Sequence, residues 1–297
     1  MAVIRTTICI LLVLACSTVF AQDYEILLHR PQKAGDRYEL TALGSMTEQM
    51  VLSGKQQVIR ENRSSLSCEL SGVVTVLETD AMMRDKTIRL VVSRCVLSGD
   101  GKSYENEVLA KGTEVIARLD KKRETFLIDD KPASPEVEKV LGLFFFPHTS
   151  EVTDDDVFGT RERKKVGDSW PVNSSVAARD LEDEGMRVKA ENVKGSTTLE
   201  KVVDVDGIKC LHLSGNMELT GMDFPLPPGF TVEFSDMSAV LSGDFPVDTS
   251  IAPLSETGTM TMAFVGKGKP SPDSPEVTLS IEKSKSTEIR LRFLKKS

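Results

Sequence analysis

The segment LHLSGNMELT, residues 211–220, alternates apolar and polar side chains along most of its length. Successive side chains of a β-strand point to opposite faces, so this alternation predicts a strand with one face in the core and one in water. The same period recurs at residues 277–281 and 289–293. Together these segments predict a mainly β fold made of antiparallel strands.

Turn signals separate the predicted strands. Asp206-Gly207 lies between two apolar runs and is a strong hairpin signal, because the tight turn requires residues with positive φ. Asp100-Gly101 marks another turn of this kind. We therefore expect about ten or more strands in meander order, which form a strongly curved antiparallel sheet or an open barrel.

One segment departs from the two-residue period. Ser134-Pro135-Glu136 offers an N-cap, a proline at the first helical position and an acid in the first turn. Apolar side chains follow at helical spacing, so residues 134–146 predict one short helix on the inner face of the sheet. Its last turn is apolar on every side. Two interpretations stay open: a plug in the core, or the wall of a hydrophobic ligand cavity lined by Val140, Leu141, Phe144 and Phe145.

The first residues have the layout of a secretory signal peptide. Arg5 precedes an apolar run at residues 8–14, and Ala21 offers a small residue before a cleavage point. Residues 1–21 are therefore expected to be a signal peptide, which makes the mature protein periplasmic or extracellular. A second interpretation is a lipoprotein signal in which Cys16 is lipidated, and this lipid would anchor the protein to a membrane.

The composition and motifs argue against several classes of function. The formal net charge is −8 and no basic patch stands out, so nucleic acid is not an expected partner. The chain has three His and contains no HExxH, CxxC or Gly-x-Ser-x-Gly motif. We therefore expect no enzymatic activity, no metal site and no cofactor.

Cys68 and Cys95 flank a predicted hairpin and are the candidates for a disulfide in an oxidising compartment. The apolar pattern places Cys68 on the apolar face of its strand and Cys95 on the opposite face of the next. A one-residue slip or a bulge would be needed to bring the two sulfurs to the same side. The alternative is a pair of buried free thiols.

The mature chain is long enough for one large β domain or two lobes. Gly35-Asp36-Arg37-Tyr38 and Gly167-Asp168-Ser169-Trp170 each place Gly-Asp and an aromatic residue before a new β section. This echo divides the chain into an N-terminal lobe at residues 22–150, with the helix, and a C-terminal lobe at residues 151–297. One continuous domain is the alternative.

The segments at residues 35–38 and 167–170 also resemble segments of a known family. The most specific motif of this resemblance is Val166-Gly167-Asp168-Ser169-Trp170. In the order of its elements, the chain resembles a family of exported bacterial proteins of unknown function, often lipoproteins. That layout is similar to the Lol-type lipoprotein carriers, in which a curved antiparallel sheet cradles helices over an apolar cavity. The resemblance implies that residues 141–146 line or close such a cavity, and it assigns no catalytic residue.

The leading functional hypothesis is a non-enzymatic exported protein that binds a lipid or another apolar ligand between the sheet and the helix. The alternative is an envelope scaffold or surface protein-interaction module that binds envelope proteins through the edges of its sheet. In that case the final strand, residues 287–293, is the candidate edge.

Overall fold

The computed structural model describes residues 22–55, 57–99, 102–105, 107–120, 123–146, 151–183, 185–223, 226, 229–269, 271 and 274–294. The predicted signal peptide at residues 1–21 and the candidate lipidation residue Cys16 lie outside the described residues. The strands and helices below belong to the described part of the chain.

Thirteen strands form one antiparallel sheet in the described part of the chain. Their bounds are β1 Arg37–Gly54, β2 Gln57–Thr79, β3 Asp85–Gly99, β4 Lys102–Glu105, β5 Glu114–Asp120, β6 Arg123–Ile128, β7 Lys131–Pro132, β8 Ser169–Pro171, β9 Val193–Val205, β10 Ile208–Thr220, β11 Phe230–Pro246, β12 Ser255–Gly268 and β13 Val277–Phe293. Three short helices accompany them: α1 Pro135–Leu141, α2 Asp154–Val157 and α3 Ser174–Asp183.

The sheet is continuous and open. Its strand order is β7-β6-β5-β3-β2-β1-β13-β12-β11-β10-β9-β8, with β4 paired to β3. The first and last long strands meet in its middle, where the register runs from Tyr38 opposite Phe293 to Ser53 opposite Thr278. The predicted mainly β fold is confirmed, and the sheet does not close into a barrel.

The final strand was the wrong choice of edge. β13 pairs with β1 on one side and with β12 on the other, so its backbone groups are already engaged. A period-two pattern reveals which face of a strand is buried but not whether the strand has one neighbour or two.

The prediction of a single helix over residues 134–146 was wrong in both number and length. Its start is confirmed, because Val137 N donates to Ser134 Oγ at 3.4 Å and Pro135 is the first helical residue. The helix ends at Leu141, where Gly142 caps it, and residues 143–146 continue as non-helical chain. Glycine is a poor helix former, and the apolar residues beyond it find burial against the sheet.

The two helices that the sequence pattern missed pack on the C-terminal half of the sheet. Thr153 and Asp156 form a capping box at the start of α2. The three consecutive acids at residues 154–156 therefore form the first turn of a helix. Val157 of α2 and Ala177 and Leu181 of α3 share an apolar cluster with Leu219. No helix in the described part of the chain is both long enough and apolar enough to cross a bilayer.

The register gives the sheet two distinct faces. One row across the strands contains Cys68, Gly44, Thr287, Gly258, Leu241 and Gly215, each directly opposite the next. We call the face that carries this row the inner face, because α1 and the main apolar core lie against it. The outer face carries hydroxyl pairs between neighbouring strands, such as Ser238 with Thr261.

Candidate functional site

An apolar cavity of about 420 Å³ lies on the inner face, above the strands that join the two halves of the sheet. Its volume falls within the ~300–1,000 Å³ that is usual for small-molecule sites. Strands β1 and β9 to β13 supply one side of its lining, with single residues from β3 and β5. The residues after α1, the N-terminal segment and α2 supply the other.

Three glycines of the sheet line the cavity, and one of them, Gly215, leaves space in its floor. Gly215, Gly243 and Gly258 lie at inner-face positions of β10, β11 and β12 and line the cavity. A Cβ atom placed on Gly215 would meet only ordinary contacts, the nearest being Phe158 Cδ1 at 3.7 Å. The other two positions are already covered: a Cβ atom on Gly243 would lie 2.8 Å from Phe245 Cε2, and one on Gly258 would lie 3.2 Å from Leu241 Cδ2. The open part of the cavity floor is therefore at Gly215.

The segment after α1 forms one wall. Phe144, Phe145 and Phe146 all line the cavity, with Phe144 and Phe145 buried and Phe146 48% exposed at the mouth. A Cβ atom on Gly44 would lie 2.7 Å from Phe144 Cε1, so the bare backbone of β1 is what allows this ring to pack so closely. The wall is therefore positioned by the missing side chain of a strand far away in the sequence.

Lys285 of β13 holds this wall in place. Its ammonium group donates to the Gly142 carbonyl at 3.3 Å and lies 3.7 Å from the centre of the Phe146 ring. Partial burial lowers the pKa of Lys285 to about 8. The lysine thus caps the end of α1 and stacks on the aromatic residue at the mouth.

The N-terminal segment and α2 form the opposite wall. The backbone N–H groups of Leu28 and His29 donate to the two carboxylate oxygens of Asp155 at 2.6 and 3.1 Å. Trp170 Nε1 donates to the carbonyl of Phe158 at 2.8 Å. These bonds hold Leu28 and Phe158 against the cavity.

The charged residues of the lining are acidic. They are Asp85, Asp154 and Glu256, and no Lys or Arg lines the cavity in the described part of the chain. Glu256 lines the cavity and keeps accessible surface, although protein atoms crowd the surroundings of its carboxyl group. Desolvation, followed by repulsion from Asp154, raises the pKa of Glu256 to about 7. Within the described residues, the carboxyl group of Glu256 makes no hydrogen bond or ion pair.

A second polar group in the lining is also without a partner. Thr197 is 3% exposed, and its hydroxyl oxygen makes no hydrogen bond within the described residues. The oxygen lies beside the bare floor, 3.9 Å from the position of a Cβ atom on Gly215. A buried hydroxyl without a partner destabilises a protein by about 1–3 kcal/mol, so a ligand that bonds to it would relieve that penalty.

The structure separates the four predicted ligand-contact residues into two pairs. Phe144 and Phe145 line the cavity. Val140 and Leu141 are 1% and 0% exposed and lie in the core behind them, because the helix turns these side chains toward the sheet. The sequence pattern did not identify Glu256 or the glycines at 215, 243 and 258 as site residues. For the glycines a signal was available, because they take the place of apolar residues on the inward face of alternating strands.

The two cysteines lie on the same inner face. A register shift between Ser71 and Gly72 of β2 leaves one extra residue on β3, which is the bulge that their meeting required. The thiols are free and buried, with their Sγ atoms 3.9 Å apart. The contact with Cys95, together with burial, raises the pKa of the Cys68 thiol. The disulfide itself stays a prediction.

One polar trio on the outer face deserves comparison with a catalytic site. Asp244 accepts from Ser255 Oγ and bonds His212 Nδ1 at 2.7 Å. The carboxylate thus stands between the hydroxyl and the imidazole, whereas a nucleophile needs its base as a direct neighbour. Within the described residues, no group of three or more His, Cys, Asp or Glu side chains is placed to hold a metal ion.

A second groove, of about 770 Å³, is larger but less suited to an apolar ligand. It crosses six strands and is bordered by hydroxyl side chains and by charges of both signs, such as Glu282 and Lys283. Apolar walls and a few convergent polar groups are typical of a ligand site, so the smaller cavity is the better candidate.

Comparisons with known proteins do not assign a family. No family model matches the chain, and no curated protein matches it. Among solved structures, lipovitellin, in a study of its lipid–protein interactions, shares 9% identity at a TM-score of 0.38. That alignment covers 89% of this chain but 26% of lipovitellin, so the chain spans about a quarter of the length of that protein.

Two further solved structures, the first of them an outer membrane channel, show weaker likeness. A channel from Pseudomonas putida F1 shares 8% identity at a TM-score of 0.19, with 91% of this chain and 98% of that chain covered. OccK11 (OpdR) of Pseudomonas aeruginosa shares 9% identity at a TM-score of 0.20, with 91% and 100% covered. TM-scores this low carry no argument about function, and the resemblance to the exported bacterial family stays a prediction.

Proposed function

We propose that this protein is a non-enzymatic binding protein that holds an apolar ligand in the inner-face cavity. The observation that carries this proposal is an apolar cavity of about 420 Å³ in which the open position at Gly215 faces an aromatic wall. A concave, mostly apolar cleft of this size is a usual site for a small-molecule ligand. The ordinary contacts around Gly215 show that the structure has room for atoms there.

Export completes the proposal. The N-terminal pattern of Arg5 followed by an apolar run supports secretion, with Cys16 as the alternative point of lipid attachment. The mass of the mature protein made in a bacterial host distinguishes the two: a chain that begins at Gln22 supports simple cleavage, and an acylated Cys16 supports a membrane anchor.

Binding can be tested with N-phenyl-1-naphthylamine, a neutral dye that fluoresces in apolar surroundings. We expect the mature protein to enhance its emission saturably, and Gly215→Leu to abolish this effect by filling the floor. Thr220→Val is the matched control, because it adds apolar atoms on the exposed opposite face of the same strand. Equal dye binding by all three proteins would contradict the proposal.

A second candidate function, protein binding through a sheet edge, has one specific observation in its favour. Residues 57–66 of β2 pair with β1 alone within the described part of the chain, because pairing with β3 starts at Ser67. Val58 and Ile59 in this stretch are 62% and 59% exposed. Unpaired strand edges with apolar side chains recruit other strands. Ile59→Lys should then abolish capture of envelope proteins without changing dye binding.

A further inference from the structure

Resting on the proposed function, we infer that the cavity is built for a cationic amphiphile: an apolar chain that carries an ammonium group. The inference combines three features of the lining, namely its charge, its aromatic content and its unpartnered polar groups. Each feature is independent of the volume that suggested a ligand.

The charge of the lining favours a cation. Asp85, Asp154 and Glu256 line the cavity without a basic residue among the described lining residues. A ligand carboxylate or phosphate placed there would meet like charge in a partly desolvated space, where repulsion is strong. An ammonium group would instead compensate the carboxyl group of Glu256, which has no partner of its own within the described residues.

The aromatic lining favours the same head group. The rings that line the cavity are those of Tyr38, Phe144, Phe145, Phe146, Phe158 and Phe245. The faces of such rings attract cations, and the combination of rings with acids is the usual way to bind a quaternary ammonium. The protein already uses this interaction at the mouth, where the Lys285 ammonium stacks on Phe146.

The geometry suggests where the two ends of the ligand lie. Glu256 is on β12 and Thr197 is on β9, three strands apart, which corresponds to about 14 Å across the sheet. The glycines at 243 and 215 occupy the intervening strands. The head group therefore lies at Glu256, and the apolar chain runs across β11 and β10 toward β9, past the open position at Gly215.

The titratable groups that face Glu256 are Asp154 of α2, Asp85 of β3 and the Tyr38 hydroxyl of β1. Burial, with the negative charges of Asp85 and Glu256, raises the pKa of Tyr38, so its hydroxyl stays neutral. Between pH 6 and pH 8, Glu256 is the lining group that changes its charge, because its pKa is about 7. Lys285 at the mouth, whose pKa is about 8, gains positive charge as the pH falls over the same range, and this change also acts against a cation at pH 6.

The test uses three probes with the same twelve-carbon chain, each below its micelle concentration or solubility limit: dodecyltrimethylammonium, dodecanol and dodecanoate. Each displaces N-phenyl-1-naphthylamine from the full mature protein at pH 8. We expect the ammonium to displace the dye at roughly tenfold lower concentration than dodecanoate. Glu256→Gln should weaken displacement by the ammonium severalfold and leave dodecanol unchanged, and lowering the pH to 6 should have the same effect on the unmodified protein.

Glu218→Gln is the matched control, since Glu218 is exposed on the opposite face of the sheet. Displacement of the dye by all three chains at similar concentrations, or preferentially by dodecanoate, would overturn the inference while leaving apolar-ligand binding intact. Failure of the unmodified protein to bind the dye or any of the three chains would overturn both.

Discussion

Replacing Glu256 by glutamine should stabilise the folded protein relative to the unmodified chain. This gain in stability should be larger at pH 8 than at pH 5. The pKa of Glu256 is about 7 in the folded protein, against an ordinary value of 4.5. Because the folded state holds the proton more tightly, it is favoured at low pH and loses stability as the pH rises from 4.5 to about 7. Glutamine keeps the shape of the protonated acid and removes this loss.

The size of the effect follows from the two pKa values. Their difference corresponds to at most about 3 kcal/mol. Water reaches the carboxyl through the open cavity and screens part of its destabilisation, so we expect Glu256→Gln to gain about 1–2 kcal/mol at pH 8 and little at pH 5.

Urea unfolding measured at both pH values provides the assay, with fluorescence of Trp170 as the signal. Trp170 is the only tryptophan in the sequence and is 6% exposed, so unfolding transfers it into water. Glu218→Gln should change stability little at either pH. If the free energies of unfolding of Glu256→Gln and of the unmodified protein differ by the same amount at pH 5 and pH 8, the carboxyl group of Glu256 is not desolvated in the folded protein.

Three further predictions concern the wall and the cysteines. Phe144→Ala should destabilise the protein by about 3–5 kcal/mol in the same urea assay, whereas Phe234→Ala, at an exposed site, should have a much smaller effect; equal losses would contradict the packing. Gly44→Ala should destabilise by about 1–3 kcal/mol, because its Cβ would lie 2.7 Å from Phe144 Cε1. In the double variant Gly44→Ala, Phe144→Leu, the smaller side chain should recover part of that loss. If the losses of the two single variants simply add, the Cβ of residue 44 does not press on the Phe144 ring. Protein secreted into an oxidising compartment should carry a disulfide between Cys68 and Cys95, seen as a mass about 2 Da lower than the reduced form; unchanged mass would show that both thiols stay free.

The local features of the fold could be read from short stretches of sequence. Asp206 and Gly207 adopt φ values of 52° and 81°, as the hairpin signal required. Ser134 caps α1 as predicted. Helix length could not be read in this way, because residues 143–146 keep an apolar pattern that serves equally well for a helix and for the turn that follows α1.

The candidate site was only partly predictable, because only the features that depend on residues close along the chain could be read from the sequence. The aromatic residues at 144 and 145 stood out as an apolar cluster in one segment of the sequence. Glu256 did not, since an isolated acid in an alternating strand usually faces water, and its desolvation depends on Asp154 and on the walls around it.

The sequence by itself determined that the protein is made of antiparallel strands, because alternation and turn chemistry act between residues that are close along the chain. The tertiary structure alone decided which strands are neighbours. Pairing of β1 with β13 and the bulge in β3 set the register across the sheet. That register aligns Gly44, Gly258 and Gly215 in one row and brings Cys95 to the same face as Cys68, since contacts between distant segments depend on the packing of the whole sheet.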